Sequence, residues 1–447
     1  MTPDPDAIGP FNLPLTREQF SSALRKGQGR AFLHVKQCGV AGVEDLVLDA
    51  CTHSLVLDAL FEGTRGEWLF LLLEAAGLKE KARPAILRAL QDSRPETTDS
   101  WTVSQLMVLA VFFAREGDEE FRRALYAKFA LQEYPESSVG GHQIICLDGL
   151  AGMLHVAEVI GARILREPDY RESDYLLWAA GEDFGRETVL AALKERAGTD
   201  ERVRAYVSGL ERSRRAEEQG PPQERKGFDH VLEMIEHWDD RSHAWLSVWA
   251  KQACEEEIAV IVSRMERESR APQLRGYLRL FRWREVPGLP ARLFDLTESA
   301  DEWVRKGAFW ALGNSCDARV RDWAIRLLQR TPPCLGALRL FERNYQPGDY
   351  ILMESVLPNA GEAEALHDIA LDLKHVAGEV KNLQLAGCLL WVCEYSPCSF
   401  CRQGAVEKLV DLKVAPRTVL EECLYDCQDE TRDLAKAALG VVGEKGV

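Results

Sequence analysis

At 447 residues, 46% of them apolar, the chain is long enough to bury a large core as two or three domains or as one continuous helical array. Its formal charge of −16 argues against a surface devoted wholly to nucleic acid, because neutralising phosphates needs a positive field. Twelve cysteines are too dilute for a disulfide scaffold, no window approaches 18 uninterrupted apolar residues, and the opening M-T-P-D-P-D lacks the basic and apolar character of a secretory signal, so a cytoplasmic protein without membrane contact is expected.

Residues 1–15 read as an extended tail, each of Pro3, Pro5, Pro10 and Pro14 restricting the residue before it. Thr16 with Gln19 forms a capping box for a helix to about Lys26. Apolar residues then recur at three and four over 43–61, 67–76, 84–90, 100–114 and 119–131, each a predicted helix. The run 142–161 is apolar nearly all round and reads as a buried central helix, with Gly149 and Gly152 leaving room for a close neighbour. Asp169 with Glu172 marks the next start, followed by helices over 187–195 and 200–217. The polar stretch 217–227, with Pro221 and Pro222 together, is the clearest linker. It separates an N-terminal helical domain, 16–216, from a C-terminal one, 228–447.

Beyond the linker, helices are predicted over 228–237, 242–268, 272–282, 289–297, 301–312, 318–329, 333–343, 348–356, 361–378, 380–394, 402–412, 416–425 and 429–439. Ser299 with Glu302 forms the expected capping box of the 301–312 helix, and Gly313-Asn314-Ser315 stops it. No segment sustains period-two alternation between hairpin turns, so the fold class is all-α.

One pattern recurs. Asp301-Glu302-Trp303-Val304-Arg305 is matched by Asp200-Glu201-Arg202-Val203-Arg204 and Asp118-Glu119-Glu120-Phe121-Arg122, and more loosely by Asp317-Ala318-Arg319-Val320-Arg321. After Arg432, the residues Ala435, Ala438, Leu439 and Gly440 repeat the offsets of Ala308, Ala311, Leu312 and Gly313 from Arg305. A repeated helix start followed by small residues describes helices that pack closely and bury their apolar faces only against neighbours. At these residues the chain resembles the HEAT family of helical repeats, best over about 285–330 and 415–440. That resemblance implies stacked helical hairpins in an α-solenoid, clearest in the C-terminal half. It further implies structural roles, bonds between successive repeats, for Asp301, Arg305, Asp317 and Arg321, with Arg432 in the corresponding place.

Residues 264–343 hold 16 Lys plus Arg against 10 Asp plus Glu. Within them Arg264, Arg267, Arg275, Arg279, Arg282 and Arg284 alternate with Tyr277, Phe281 and Trp283, a mixture suited to an acidic protein surface or to phosphates with stacking. Seven of the eleven tryptophans fall between Trp238 and Trp323, most of them expected in the core. Cys398-x-x-Cys401 with Cys423-x-x-x-Cys427 has spacings able to hold zinc, against which Cys423 and Cys427 lie one helical turn apart, as core cysteines do. His230-x-x-Glu233-x-x-x-His237 and Glu364-x-x-His367 with Asp368, Asp372 and His375 offer ligands on adjacent turns without an established metal spacing. No metal or cofactor is expected, and no phosphate loop, dinucleotide fingerprint or nucleophile elbow is present, so no catalytic residue is assigned.

The expected function is a non-enzymatic scaffold or adaptor with another protein as partner. The alternatives are a nucleic-acid-binding HEAT-like protein, a DNA glycosylase included, using 264–343, and a bacterial defence component. The overall acidity makes nucleic acid the weaker partner.

Overall fold

The computed structural model describes residues 12–133, 138–219, 227–239 and 243–441. Among them every regular element is a helix and none is a strand, as the apolar periodicity predicts. The tail expected over 1–15 lies outside the described residues as far as residue 11. Leu15 is no tail residue: its side chain is buried and its N–H donates to His34 Nδ1 at 3.0 Å. Most of the expected linker, 220–226, also lies outside the described residues.

The chain divides into two compact units. One comprises Phe11–Pro222 and Glu422–Arg432, the other Gln223–Glu421 and Asp433–Val441. The C-terminal segment Glu422–Arg432 thus packs with the N-terminal helices rather than with its neighbours in sequence. Arg30 Nε and Nη2 reach the two Glu422 oxygens at 2.7 and 2.9 Å, Trp68 Nε1 donates to the Tyr425 carbonyl at 3.0 Å, and the Phe32 and Tyr425 rings stack. Gly29 permits this approach, since a Cβ there would overlap the Glu422 carbonyl.

In the first unit, the helix Arg17–Lys26 starts on the predicted Thr16/Gln19 box, and Asp99 and Asp118 cap Ser100–Arg115 and Glu119–Leu131. The apolar run lies within the helical span Ser138–Arg166, which departs from helical backbone at Val139 and Gly140 and again at Gly149 (φ 60°, ψ −133°), a conformation that glycine alone adopts readily. By length and composition Val139–Arg166 is the one helix among the described residues able to cross a membrane. Its Ile144, Ile145, Val156, Ala157 and Ile160 are buried in the hydrophobic core. Gly152 leaves the expected room, since a Cβ there would overlap the Ile144 carbonyl before the break, whereas Gly149 makes only ordinary contact with Phe184; Gly161 adds a second close approach, its Cβ overlapping the Arg202 carbonyl on Glu201–Gln219. No helix starts at Asp169; the next is Tyr175–Phe184, while Glu172 is buried and accepts from the Tyr170 hydroxyl at 2.8 Å.

In the second unit the helices pack mainly on near neighbours in sequence: Ala271–Leu280 on Glu302–Gly313, that helix on the 3₁₀ segment Leu335–Phe341, and the segment on Ala363–Val380. The stretch predicted as one helix over 242–268 is two, Ala244–Gln252 and Glu255–Arg267, because Ala253 turns extended and Cys254 caps the second. The predicted 333–343 helix is instead the buried 3₁₀ segment. Asp301, not Ser299, caps Glu302–Gly313 by accepting from Val304 N–H at 2.9 Å. The helix ends on Asn314 in a right-handed conformation, so Gly313 supplies space rather than a left-handed cap.

Arginines connect these helices in two ways. In the first, the guanidinium of one helix grips the acid at the start of another: Arg275 reaches Asp301 at 3.1 and 2.6 Å, Arg321 reaches Asp349 at 3.0 and 2.5 Å, and Arg83 reaches Asp118 at 2.5 and 3.0 Å. These bidentate pairs are among the stronger charge-assisted bonds. In the second, the motif arginine folds back onto the turn before its own helix in three of the copies, whereas Arg122 pairs with Asp148. Arg305 Nη1 donates to the Ser299 and Ala300 carbonyls at 2.7 and 3.3 Å, and Arg432 Nη1 to those of Asp426 and Cys427 at 2.8 and 3.3 Å. Arg204 does the same to Ala197 and Gly198 at 2.9 and 3.4 Å. Bonds between helices therefore hold for Asp301 and Arg321. Arg305 and Arg432 fasten turns, and Asp317 caps its own helix and pairs with Arg319.

Replacing Arg275 by alanine should lower the unfolding free energy by about 1–3 kcal/mol, since it leaves a half-buried capping carboxylate without its counter-charge. Replacing Arg319, 58% exposed and paired with Asp317 beside it, should leave the midpoint nearly unchanged. Urea denaturation followed by circular dichroism checks the ordering; equal midpoints would reduce the Arg275 pair to a surface contact.

Candidate anion-binding site

The six arginines singled out between Arg264 and Arg284 separate into three groups, and the seventh there, Arg270, is held by Glu236 and Glu268. Arg264 and Arg267 are exposed in the last turn of Glu255–Arg267. Arg275 is committed to Asp301, and Arg284 to the Ala250 and Ala253 carbonyls at 2.7 and 2.8 Å and to Glu255 at 2.7 Å. Arg279 and Arg282 remain. Both are half-buried, and among the described residues neither pairs with a carboxylate. Arg279 Nε is buried with no hydrogen-bond partner. The Arg282 guanidinium lies over the Trp310 ring at 4.4 Å and beside Trp283 at 5.3 Å.

A third arginine joins them. Arg339 projects from the 3₁₀ segment Leu335–Phe341 and is 5% exposed. Gly313 makes room for it, as a Cβ there would sit 3.2 Å from Arg339 Cγ. Arg339 Nη2 lies 3.1 Å from Glu342 Oε2 and Nη1 3.6 Å from Asp372 Oδ1, while its Nε is buried without a partner. The reading of 264–284 missed this residue; the signal was one charge inside the apolar run Leu335–Phe341, where an arginine has no reason to sit unless it is used.

Burial sets the electrostatics. It pushes the Arg279 pKa below the ordinary arginine value, and Arg282 is lowered by burial and further by repulsion from Arg279 and Arg339. Burial raises Asp372 to about 7 against the opposing pull of Arg339, and it raises Glu342 as well. His375, on the same helix as Asp372, is pushed down to about 4 by burial and by Arg339, Lys374 and Arg282. At neutral pH the group is thus rich in positive charge, with a neutral imidazole and a carboxyl only partly ionised. Three crowded guanidiniums, two with orphaned Nε atoms, form an arrangement that an incoming oxyanion would stabilise.

Of the seven tryptophans between Trp238 and Trp323, only Trp249 is buried, and Trp283 and Trp303 are 48% and 59% exposed. The expectation that most are core residues fails because cations cover many of the rings: Arg282 on Trp310, Arg326 on Trp323 and Lys306 on Trp303.

The cysteines do not gather as four. Cys423 and Cys427 belong to the unit with the N-terminal helices, where Cys427 N–H donates to the Gly27 carbonyl at 3.0 Å. Cys398 and Cys401 instead converge with His367, all three ligand atoms within 4.8 Å of one another. Glu364 is exposed, and so are His230, Glu233 and His237, with His230 facing the Trp245 ring; Asp368 pairs with Lys306 at 2.8 Å. No family model, curated protein or solved structure matches the chain.

Asp372 and His375 predict opposed pH dependences. A carboxyl raised from 3.8 to about 7 holds its proton in the folded state, so its contribution to stability falls as pH rises from about 4 to 7. An imidazole lowered from 6.5 to about 4 stays neutral in the folded state, so its contribution rises with pH over about 4 to 6.5. The two offset in the native chain. In Asp372→Asn only the histidine remains, and urea midpoints between about pH 4.5 and 6.5 should climb more steeply than in the native protein. Parallel profiles would show that Asp372 titrates as an ordinary carboxyl.

Proposed function

We propose that the protein is a non-enzymatic interaction scaffold of the HEAT-repeat type, working in the cytoplasm, that receives an acidic segment of a partner protein at Arg279, Arg282 and Arg339. The observation that carries this reading is a pair of half-buried arginines that pair with no carboxylate among the described residues, with the charge of a third acting on Arg282. An uncompensated buried cation destabilises a fold, and such groups persist where a ligand supplies the missing charge. Trp283, half exposed beside Arg282, adds an aromatic face of the kind that anchors a peptide.

The solenoid part of the proposal rests on the packing of helices on near neighbours in sequence and on the repeated fold-back of Arg204, Arg305 and Arg432. Carboxylates are favoured over a nucleic-acid backbone by what the other arginines do. A strand of phosphates needs a row of open cations. Here Arg270 is held by Glu236 and Glu268, Arg275 by Asp301, and Arg284 by Glu255. The positive patch is thereby reduced to a local cluster of three arginines.

Replacing Arg279 by methionine removes the unpaired charge and keeps the apolar stem. It should raise the melting temperature of the ligand-free protein at low salt by on the order of 2–4 °C, equivalent to about 1 kcal/mol, and abolish stabilisation by a glutamate-rich peptide. A fall in ligand-free stability, or an undiminished peptide response, would overturn the assignment. Tight binding of oligonucleotides at physiological salt, lost in the same variant, would give first place to the nucleic-acid reading.

A further inference from the structure

His367, Cys398 and Cys401 come from two different helices. His367 lies in the second turn of Ala363–Val380. Cys398 is the N-cap of Ser399–Asp411 and Cys401 the third residue inside it, so the two thiols share one side of the first turn. Ser396, fully buried, fixes the entry: its hydroxyl accepts from Cys398 N–H at 3.3 Å and donates to the Cys398 carbonyl at 3.2 Å. Cys398 and Cys401 are 1% and 0% exposed, and His367 is half-buried.

We propose that His367, Cys398 and Cys401 bind one zinc ion, with a fourth position open to a water or a small ligand. In a tetrahedral site, with Zn–S of about 2.3 Å and Zn–N of about 2.0–2.1 Å, ligand atoms stand roughly 3.5–3.8 Å apart. The three atoms, within 4.8 Å of one another, reach that spacing by side-chain adjustments of about an ångström. A helix N-terminus favours thiolates, since its free N–H groups and dipole stabilise negative charge. Binding converts two thiols and a neutral imidazole into a complex of zinc, two thiolates and one imidazole, with two protons released to solvent.

Charge selects the metal. Zinc with two thiolates and one imidazole is neutral and can be buried, whereas copper(I) on the same donors keeps a negative charge in the interior. The ion would tie Ala363–Val380 to the start of Ser399–Asp411 across the intervening helix Ala386–Tyr395.

The test uses the full chain, expressed with added zinc and purified under reducing conditions. Elemental analysis after dialysis should give close to one zinc per chain. Exchange for cobalt(II) should produce the visible bands of a tetrahedral ion and thiolate-to-metal charge transfer. Cys398→Ser and His367→Gln should lose both signals, and Cys423→Ser should keep them. Should the variants misfold, removing zinc from the folded native chain with a chelator and restoring the cobalt spectrum decides the matter alone. Well under one zinc per chain in reduced protein with an intact helical spectrum overturns the proposal. So does a Cys398–Cys401 disulfide in freshly isolated protein, since it would assign the pair to redox chemistry.

Discussion

The second unit depends on what its arginines do at helix starts. A helix N-terminus leaves backbone N–H groups without partners, and an aspartate there satisfies one of them while bringing a charge into a crowded turn. Arg275 on Asp301 neutralises that charge from another helix and holds the carboxyl below its ordinary pKa. Because a guanidinium binds a carboxylate in one plane with two parallel bonds, the pair fixes the rotation and register of one helix against the next as well as their contact. Arg83 on Asp118 does the same in the first unit. Arg305 performs the complementary task by binding the last carbonyls of the turn before its helix.

That division of labour makes the exceptions informative. Where an arginine has an acid or a carbonyl to bind, its position is explained by folding. Among the described residues Arg279 and Arg282 have neither, and Arg339 shares Glu342 and Asp372 while its Nε goes unmatched. Nearby acids do not compensate, because burial keeps Asp372 partly protonated and raises Glu342. A sequence selected for stability alone would place leucine or methionine at such sites, at little cost in volume. The retained charge is the argument for a ligand.

Much of the fold was legible from one-dimensional pattern. Period 3.6 located nearly every helix, and the capping chemistry of Thr16, Asp118 and Asp317 marked true starts. Errors came where two local signals competed or where tertiary packing decided. Ser299 and Asp301 both suit an N-cap, and the acid won by also receiving Arg275. The 242–268 run has continuous helical periodicity, yet its chain turns at Ala253. The functional groups were less legible, for one reason: periodicity tells which face a residue occupies and says nothing of which helix lies opposite. Hence nothing in the periodicity of 264–284 pairs Arg275 with Asp301, which lies on another helix. The same limit hides Arg339 inside an apolar run, and it groups His367 with Glu364 and Asp368 on its own helix rather than with cysteines two helices further along the chain.

The two proposed sites meet on one element. Ala363–Val380 carries His367 in its second turn and, further along, Asp372 and His375, which interact with Arg339 and with Arg339 and Arg282. Sharing a helix creates no coupling free energy by itself, since that requires two arrangements that each ligand stabilises differently. A rigid helix held near its start by a metal would do something simpler. It would set the position of Asp372 and His375 against the arginines before any partner arrives, so that less ordering remains to oppose binding. On this view the metal would act through geometry alone, and its loss would weaken anion binding without altering which anion is preferred.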